Sequence, residues 1–412
     1  MVECWLPYGN TEVYVTVDIK DLLSIAEPTK IEPRAQPREM MASSINNLGS
    51  GERLEGLVHP DCKVAIAVDG TVSPQLAVPV LSYLVEQFVS MIVPKDRVTM
   101  ILGNGARARS SKDLVAAITG SEDLKGVRLM EHGKGSSNLA VVGKTRQGTP
   151  VSVCKDYAEA TVKVAVGEAM LDDYTGFRGA HSAIVPGVSS IPTIEANRRL
   201  LFRSGAKPGV VELNPVKEDA IEATKLAGVD LAVNIAISPQ GTLMGVHSGA
   251  LEESWGRAIY ELGSSFQVEA EGGADIVILS AGGSRFDFDL YDSVWALRNA
   301  SGVIKKGSTV ILLAECPEGL GVDSFTNLAH IDQLSELERR YALGAEALHL
   351  VKSMLTRNDV ILVSSLPRFL VEPIGFKVAR TANDAYEMAL EKRRGRRTLV
   401  MPYGCSTVPA AG

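Results

Sequence analysis

The amino-acid sequence predicts an α/β protein made of two α/β domains. Three observations carry that expectation. Short β-branched runs alternate with helix-patterned stretches along the chain. The runs are almost continuously apolar, as in parallel strands with helices on both faces. At 412 residues the chain also exceeds the about 250–300 residues that one core supports.

In the first domain the strands expected are 63–68 (KVAIAV), 97–102, 149–154, 162–166 and 231–237, bounded by Gly, Asp or Asn. Helices are expected at 75–89, 111–118, 191–202, 218–226 and 251–262. Pro74 precedes the first helix, where its missing N–H costs little. The second set comprises strands at 274–280, 308–314 and 359–364 and helices at 289–300, 334–354 and 382–392. The polar, glycine-rich stretch 269–274 (EAEGGA) reads as the joint, giving domains of 1–270 and 271–412. The last strand, near 399–412, is allowed to return to the first domain. The basic run 392–397 reads as a solvated helix end.

A net charge of −7 argues against a general nucleic-acid surface. The opening MVECWLPYGNTEVYVTV alternates like a strand and lacks the charged-then-apolar order of a secretion signal. No apolar run reaches the about 18–20 residues that a membrane span needs. Five cysteines without CxxC spacing read as reduced thiols. A cytoplasmic chain, with neither membrane nor nucleic acid as partner, is expected.

Ligands of such sheets bind beyond the carboxyl ends of strands, and three loops qualify. Asp69 and Thr71, after KVAIAV, serve either as a helix cap or as a contact to an anion or hydroxyl. Gly103 and Gly105 let backbone N–H groups approach a ligand, with Arg107 and Arg109 following as anion-binding guanidiniums. The third loop carries Asp172, Asp173, Tyr174, Arg178, His181 and Ser182 in one glycine-interrupted polar stretch, with His181 the one histidine of six near any of these loops.

Residues 167–198, GEAMLDDYTGFRGAHSAIVPGVSSIPTIEANR, resemble the active-site segment of the nickel-pincer lactate racemase family, where PH, GFSGGRKS, PG and TI..NH follow in this order. The likeness runs nearly end to end, through LPYG, INNLGSGERLEGL, AVDGTVSP, GNGARARSSKDL, AGGSRFDFDLYDSVWALRNA, AECPEGLG and VMPYGCSTVP. The resemblance implies two α/β domains of lactate-racemase type with the site in the cleft between them. It also implies racemisation of a 2-hydroxy acid on a lysine-tethered pincer cofactor whose nickel takes a histidine, with two further histidines as bases.

The departures from that pattern are systematic. Arg107 and Asp172 stand where the base histidines are expected, Ser182 where the tethering lysine is, and Arg198 where the nickel ligand is. Val72 replaces a substrate-binding arginine, and Asp292 and Trp295 stand for a glutamine and a lysine. Serine cannot make the lysine's link, and a protonated arginine does not ligate nickel. The sequence therefore disfavours a nickel-pincer nucleotide and leaves the cofactor unknown. It points to an isomerase- or epimerase-like enzyme for an anionic small molecule, with Asp172, His181 and Arg107 as catalytic candidates. Asp69, Thr71, Arg178, Ser182, Arg198, Asp292 and Trp295 are candidates for the substrate, and Gly103 and Gly105 for a cofactor. Nickel-dependent racemisation and a non-catalytic ligand-binding protein are the alternatives.

Overall fold

The structure, a computed structural model, describes residues 1–33, 35–48, 56, 58–59, 61–106, 111–392 and 395–410. The opening alternation forms a hairpin, β1 (Val2–Tyr8) paired antiparallel with β2 (Thr11–Val17). Cys4, Leu6, Val15 and Val17 are buried on one face, while Trp5 and Tyr14 are exposed and in ring contact on the other. A short strand, β3 (Leu22–Ile25), follows.

The chain divides into two compact units, one of residues 31–263 and one of 1–30 together with 264–412. The larger contains β4 (Val64–Asp69), β5 (Val98–Gly103), β6 (Arg128–His132), β7 (Leu139–Lys144), β8 (Pro150–Cys154), β9 (Val162–Asp172), β10 (Gly176–Arg178), β11 (Leu231–Ile237) and β12 (Leu243–Gly249). Its main sheet runs β12-β11-β9-β4-β5-β6, parallel except for β12 at one edge, with β10 folded antiparallel onto the end of β9. All six residues of β4 are buried, as the unbroken apolar run required. Small side chains line much of this core, among them Ala65, Ala67, Ala165, Ala180 and Ala232, which brings covering segments close to the sheet.

The smaller unit adds β13 (Gln267–Val268), β14 (Ala274–Ser280), β15 (Ile304–Leu313), β16 (Asp359–Val363), β17 (Lys377–Ala379), β18 (Thr398–Met401) and β19 (Val408–Pro409). Its sheet, β17-β16-β15-β14-β18-β3, is parallel throughout.

Three expectations are corrected. Residues 1–30 belong with the second set of elements, because β3 supplies the edge strand beside β18 and the hairpin packs Leu6 and Val15 on Ile276 and Ile278. The terminal strands stay in that unit too, β18 against β14 and β19 against β13. The strand expected at 149–154 lies outside the main sheet, in a hairpin with Leu139–Lys144, so its apolar run is covered by other means than flanking parallel strands. The helix expected over 334–354 is two, Leu334–Arg339 and Ala345–Leu355, since Gly344 takes a left-handed conformation between them. Among the described residues no helix is long and apolar enough to cross a membrane, and all five cysteines are free and buried.

The hairpin's placement is testable. Leu6 is fully buried, so Leu6→Ala should cost about 2–5 kcal/mol. Hydrogen exchange should accelerate in Ala274–Ser280 and Thr398–Met401 and stay unchanged in Val64–Asp69. Acceleration in Val64–Asp69 alone would contradict the assignment.

Candidate functional site

Strand order locates the site. From β4 the chain steps outward to β5 and β6, then crosses back to place β9 on the other side of β4. This reversal is a topological switch point, where a crevice opens beyond the carboxyl ends. Asp69 ends β4 on one side of it. On the other, β9 outruns its pairing with β4, which stops at Val68 and Val166, and carries Glu168 and Asp172 onward.

Glu168 joins the two sides. It is fully buried, takes the Ser73 N–H at 3.0 Å and pairs with the Arg178 guanidinium at 3.2 Å. Ser73 is the N-cap of the helix Pro74–Ser90. The first loop, β9 and β10 therefore meet on one carboxylate. Sequence reasoning passed over Glu168, although it is the one acid inside the apolar run VKVAVGEAML. Arg178, expected to meet the substrate, pairs through its Nη2 with this internal carboxylate. Asp69 does not cap the helix; its Oδ1 accepts the Thr71 N–H at 3.0 Å and the Thr71 hydroxyl at 2.8 Å, closing the loop itself.

Asp172 sits at the hairpin turn between β9 and β10. Its Oδ2 accepts the N–H of Tyr174 at 3.1 Å, the N–H of Thr175 at 2.6 Å and the Thr175 hydroxyl at 2.7 Å. The carboxylate is thus fixed by its own turn, with all three bonds on one oxygen. Arg198 comes from the helix Ile191–Arg199, donates to the Tyr174 hydroxyl at 3.0 Å, and lies 4.1 Å from the centre of the same ring. Asn214, N-cap of the helix Pro215–Ala227, donates to the Tyr174 carbonyl at 3.0 Å while accepting from the N–H groups of Val216 and Lys217. Tyr174 is the post around which Asp172, Arg198 and this helix start are gathered.

His181 lies in the short turn Ala180–Ala183. The turn is pressed on β9 so closely that a Cβ on Gly167 would come within 2.4 Å of the Gly179 carbonyl oxygen. His181 is wholly buried and meets the Trp255 ring edge-on at 5.2 Å. Among the described residues neither ring nitrogen has a hydrogen-bond partner. Burial pushes its pKa down to about 4, against the opposing pull of Asp172 and Asp69 and with a further push from Lys217. The imidazole, expected as a catalytic candidate, is thus enclosed and neutral near pH 7. Ser182, beside it, is buried and donates its N–H to the Gly179 carbonyl at 2.9 Å.

Gly103 and Gly105 are needed for backbone packing. A Cβ on Gly103 would meet Gly187 at 2.6 Å, and Gly105, at φ +59°, donates to the Gly187 carbonyl at 2.9 Å. Arg107 and Arg109 lie outside the described residues. His181 is not alone beside these loops: the His132 carbonyl accepts the Asn104 N–H at 2.8 Å, and the His132 ring, its pKa lowered by burial, contacts the Ser189 carbonyl. In the smaller unit, Asp292 donates its N–H to Asp289 at 2.8 Å, and Trp295 is buried with Arg298 5.8 Å from its ring centre.

Family models describe this chain in two parts, the lactate racemase N-terminal domain over residues 8–209 and the lactate racemase C-terminal domain over residues 269–408. The chain belongs to the lactate racemase family. The lactate racemase of Lactiplantibacillus plantarum is 22% identical over 429 residues, covering 99% of this chain and 100% of that protein. The lactate racemase of Thermoanaerobacterium thermosaccharolyticum is 23% identical over 330 residues, covering 79% of this chain and 77% of that one. The apoprotein structure of a lactate racemase from the same organism superposes with a TM-score of 0.84 at 22% identity over 100% of both chains. A Thermotoga maritima protein superposes at 0.69 with 13% identity, over 93% of this chain and 100% of its own.

A lysine-tethered pincer does not fit the residues this family member presents. Position 182 is a buried serine tied to Gly179, Arg198 holds a Tyr174 ring and hydroxyl, and His181 is sealed against Trp255. Among the described residues no group of three or more His, Cys, Asp or Glu could hold a metal ion.

Two measurements test this geometry. Glu168→Ala strands a largely buried Arg178 and should cost about 3–5 kcal/mol in urea unfolding; a loss below about 1 kcal/mol would mean the pair holds nothing together. His181 has its folded pKa below its unfolded value, so it contributes stability above about pH 6.5 that is lost as pH falls towards its folded pKa of about 4. Between pH 7 and pH 4 the wild type should lose about 3 kcal/mol more stability than His181→Gln. Parallel losses would refute a buried neutral imidazole.

Proposed function

We propose that this family member is an isomerase- or epimerase-like enzyme for a hydroxy acid or related anionic small molecule, working without a lysine-tethered nickel-pincer cofactor. The observation that carries the reading is the fixed Asp172 carboxylate at the switch point, with Arg198 on the side chain of Tyr174, whose backbone N–H that carboxylate accepts. One Asp172 oxygen is committed to the turn, which orients the other as a proton acceptor. General-base help of that kind contributes about 10²–10⁴ in rate. Arg198 supplies a permanent cation for the acid's carboxylate, a role the sequence also gives to Arg107. Two relatives that carry the name lactate racemase support the hydroxy-acid class. His181 supports the reading indirectly, as a neutral apolar-packed floor under the carboxylates.

The reading is tested on protein made with and without the enzymes that build the pincer nucleotide. Intact mass should show no covalent adduct in either sample. NMR in deuterated water should show isomerisation or solvent exchange in at least one 2-hydroxy acid, with Asp172→Asn slower by about 10²–10⁴. A nickel-bearing adduct with lactate turnover would replace this reading with nickel-dependent racemisation. Ligand-induced stabilisation without any turnover would leave a binding protein.

A further inference from the structure

The antiparallel strand β12 forms one edge of the larger unit's main sheet. Along such an edge every second residue turns its N–H and C=O away from the sheet. Ser248 shows which residues of β12 these are. Its N–H donates to the Ser44 hydroxyl at 2.7 Å, and its carbonyl accepts from Arg257 Nη2 at 2.6 Å, so both groups face away from β11. Val246, two residues back and in register with Ile235, faces outward by the same alternation. Among the described residues nothing caps Val246 as Ser44 and Arg257 cap Ser248.

A cavity of about 430 Å³ opens here, between the helices Pro37–Asn46 and Leu251–Leu262, with Met40, Ser43, Met244, Val246, His247 and Glu261 among its walls. That volume suits a small molecule. Gly245 makes room for the imidazole, since a Cβ there would come within 2.9 Å of His247 Nε2. This nitrogen is buried, with no hydrogen-bond partner among the described residues. Arg257 is committed to Glu253 and to the Ser248 carbonyl, and the Glu261 carboxylate disfavours an anion. An extended peptide needs several successive backbone pairs. Here Ser248 is capped and the register with β11 shifts past Gly245, which leaves the single pair of Val246. Met40 and Met244 supply a soft apolar wall of the kind that favours an aromatic ring.

We infer that this cavity is a second ligand site, taking a neutral planar heterocycle of nucleobase type whose adjacent acceptor and donor meet the Val246 N–H and C=O. It shares no residue with the crevice of Asp172 and does not rest on the proposed function.

The experiment is calorimetric titration of the whole chain with adenine and with purine, which lacks the amino donor, alongside hydrogen exchange with and without adenine. Adenine should bind saturably and slow exchange in Leu243–Gly249 while leaving Gly176–Arg178 unchanged. Purine should bind about three- to tenfold more weakly, the worth of one hydrogen bond. Ser43→Trp, at an exposed position on the cavity wall, should abolish adenine binding with the melting curve unchanged. The exchange measurement on wild type decides the matter if that variant folds poorly. Absence of saturable adenine binding, protection confined to segments other than Leu243–Gly249, or equal affinity for purine overturns the inference.

Discussion

The buried Glu168 carboxylate is the constraint on which the larger unit's switch point depends. A charge taken out of water is costly unless it is paired and hydrogen-bonded. Glu168 is both, through Arg178 and the Ser73 N–H. These partners come from β10 and from the entry to the helix Pro74–Ser90. One carboxylate therefore fixes where the first loop ends, how β10 returns along β9, and where the turn bearing His181 begins. Removing any partner leaves a buried charge, so the three segments are held as a set.

Around that carboxylate the crevice is made rigid by short-range backbone contact. Gly167 lies against Gly179 and Gly103 against Gly187, contacts that a side chain would prevent. The glycines that mark the family pattern are thereby explained as packing surfaces, and the chain beyond them has little freedom. Asp172 is locked by Thr175 and Tyr174, and Tyr174 in turn receives Arg198 and Asn214. Rigidity of this kind suits a site that must present a base and a cation at fixed separation.

The histidine and the arginine divide the labour by burial. His181 is enclosed, and burial outweighs the upward pull of Asp172 and Asp69, holding its pKa at about 4 and the ring neutral near pH 7. Arg198 is half-buried, where partial exclusion of water strengthens a permanent charge.

By itself the sequence determined the α/β class and most of the parallel strands, because an unbroken apolar run such as KVAIAV has only one environment that buries both of its faces. It also pointed to the carboxyl-end loops and to Asp172, Ser182 and Arg198, since order and chemistry along the chain are read directly from it. The tertiary structure decided the rest. That residues 1–30 complete the other sheet depends on pairing between β3 and β18, hundreds of positions apart, which no local pattern encodes. That Arg178 pairs with Glu168 and that His181 is enclosed are outcomes of three-dimensional packing. Exposure, charge pairing and distance between remote side chains arise only once the sheet order brings those segments together.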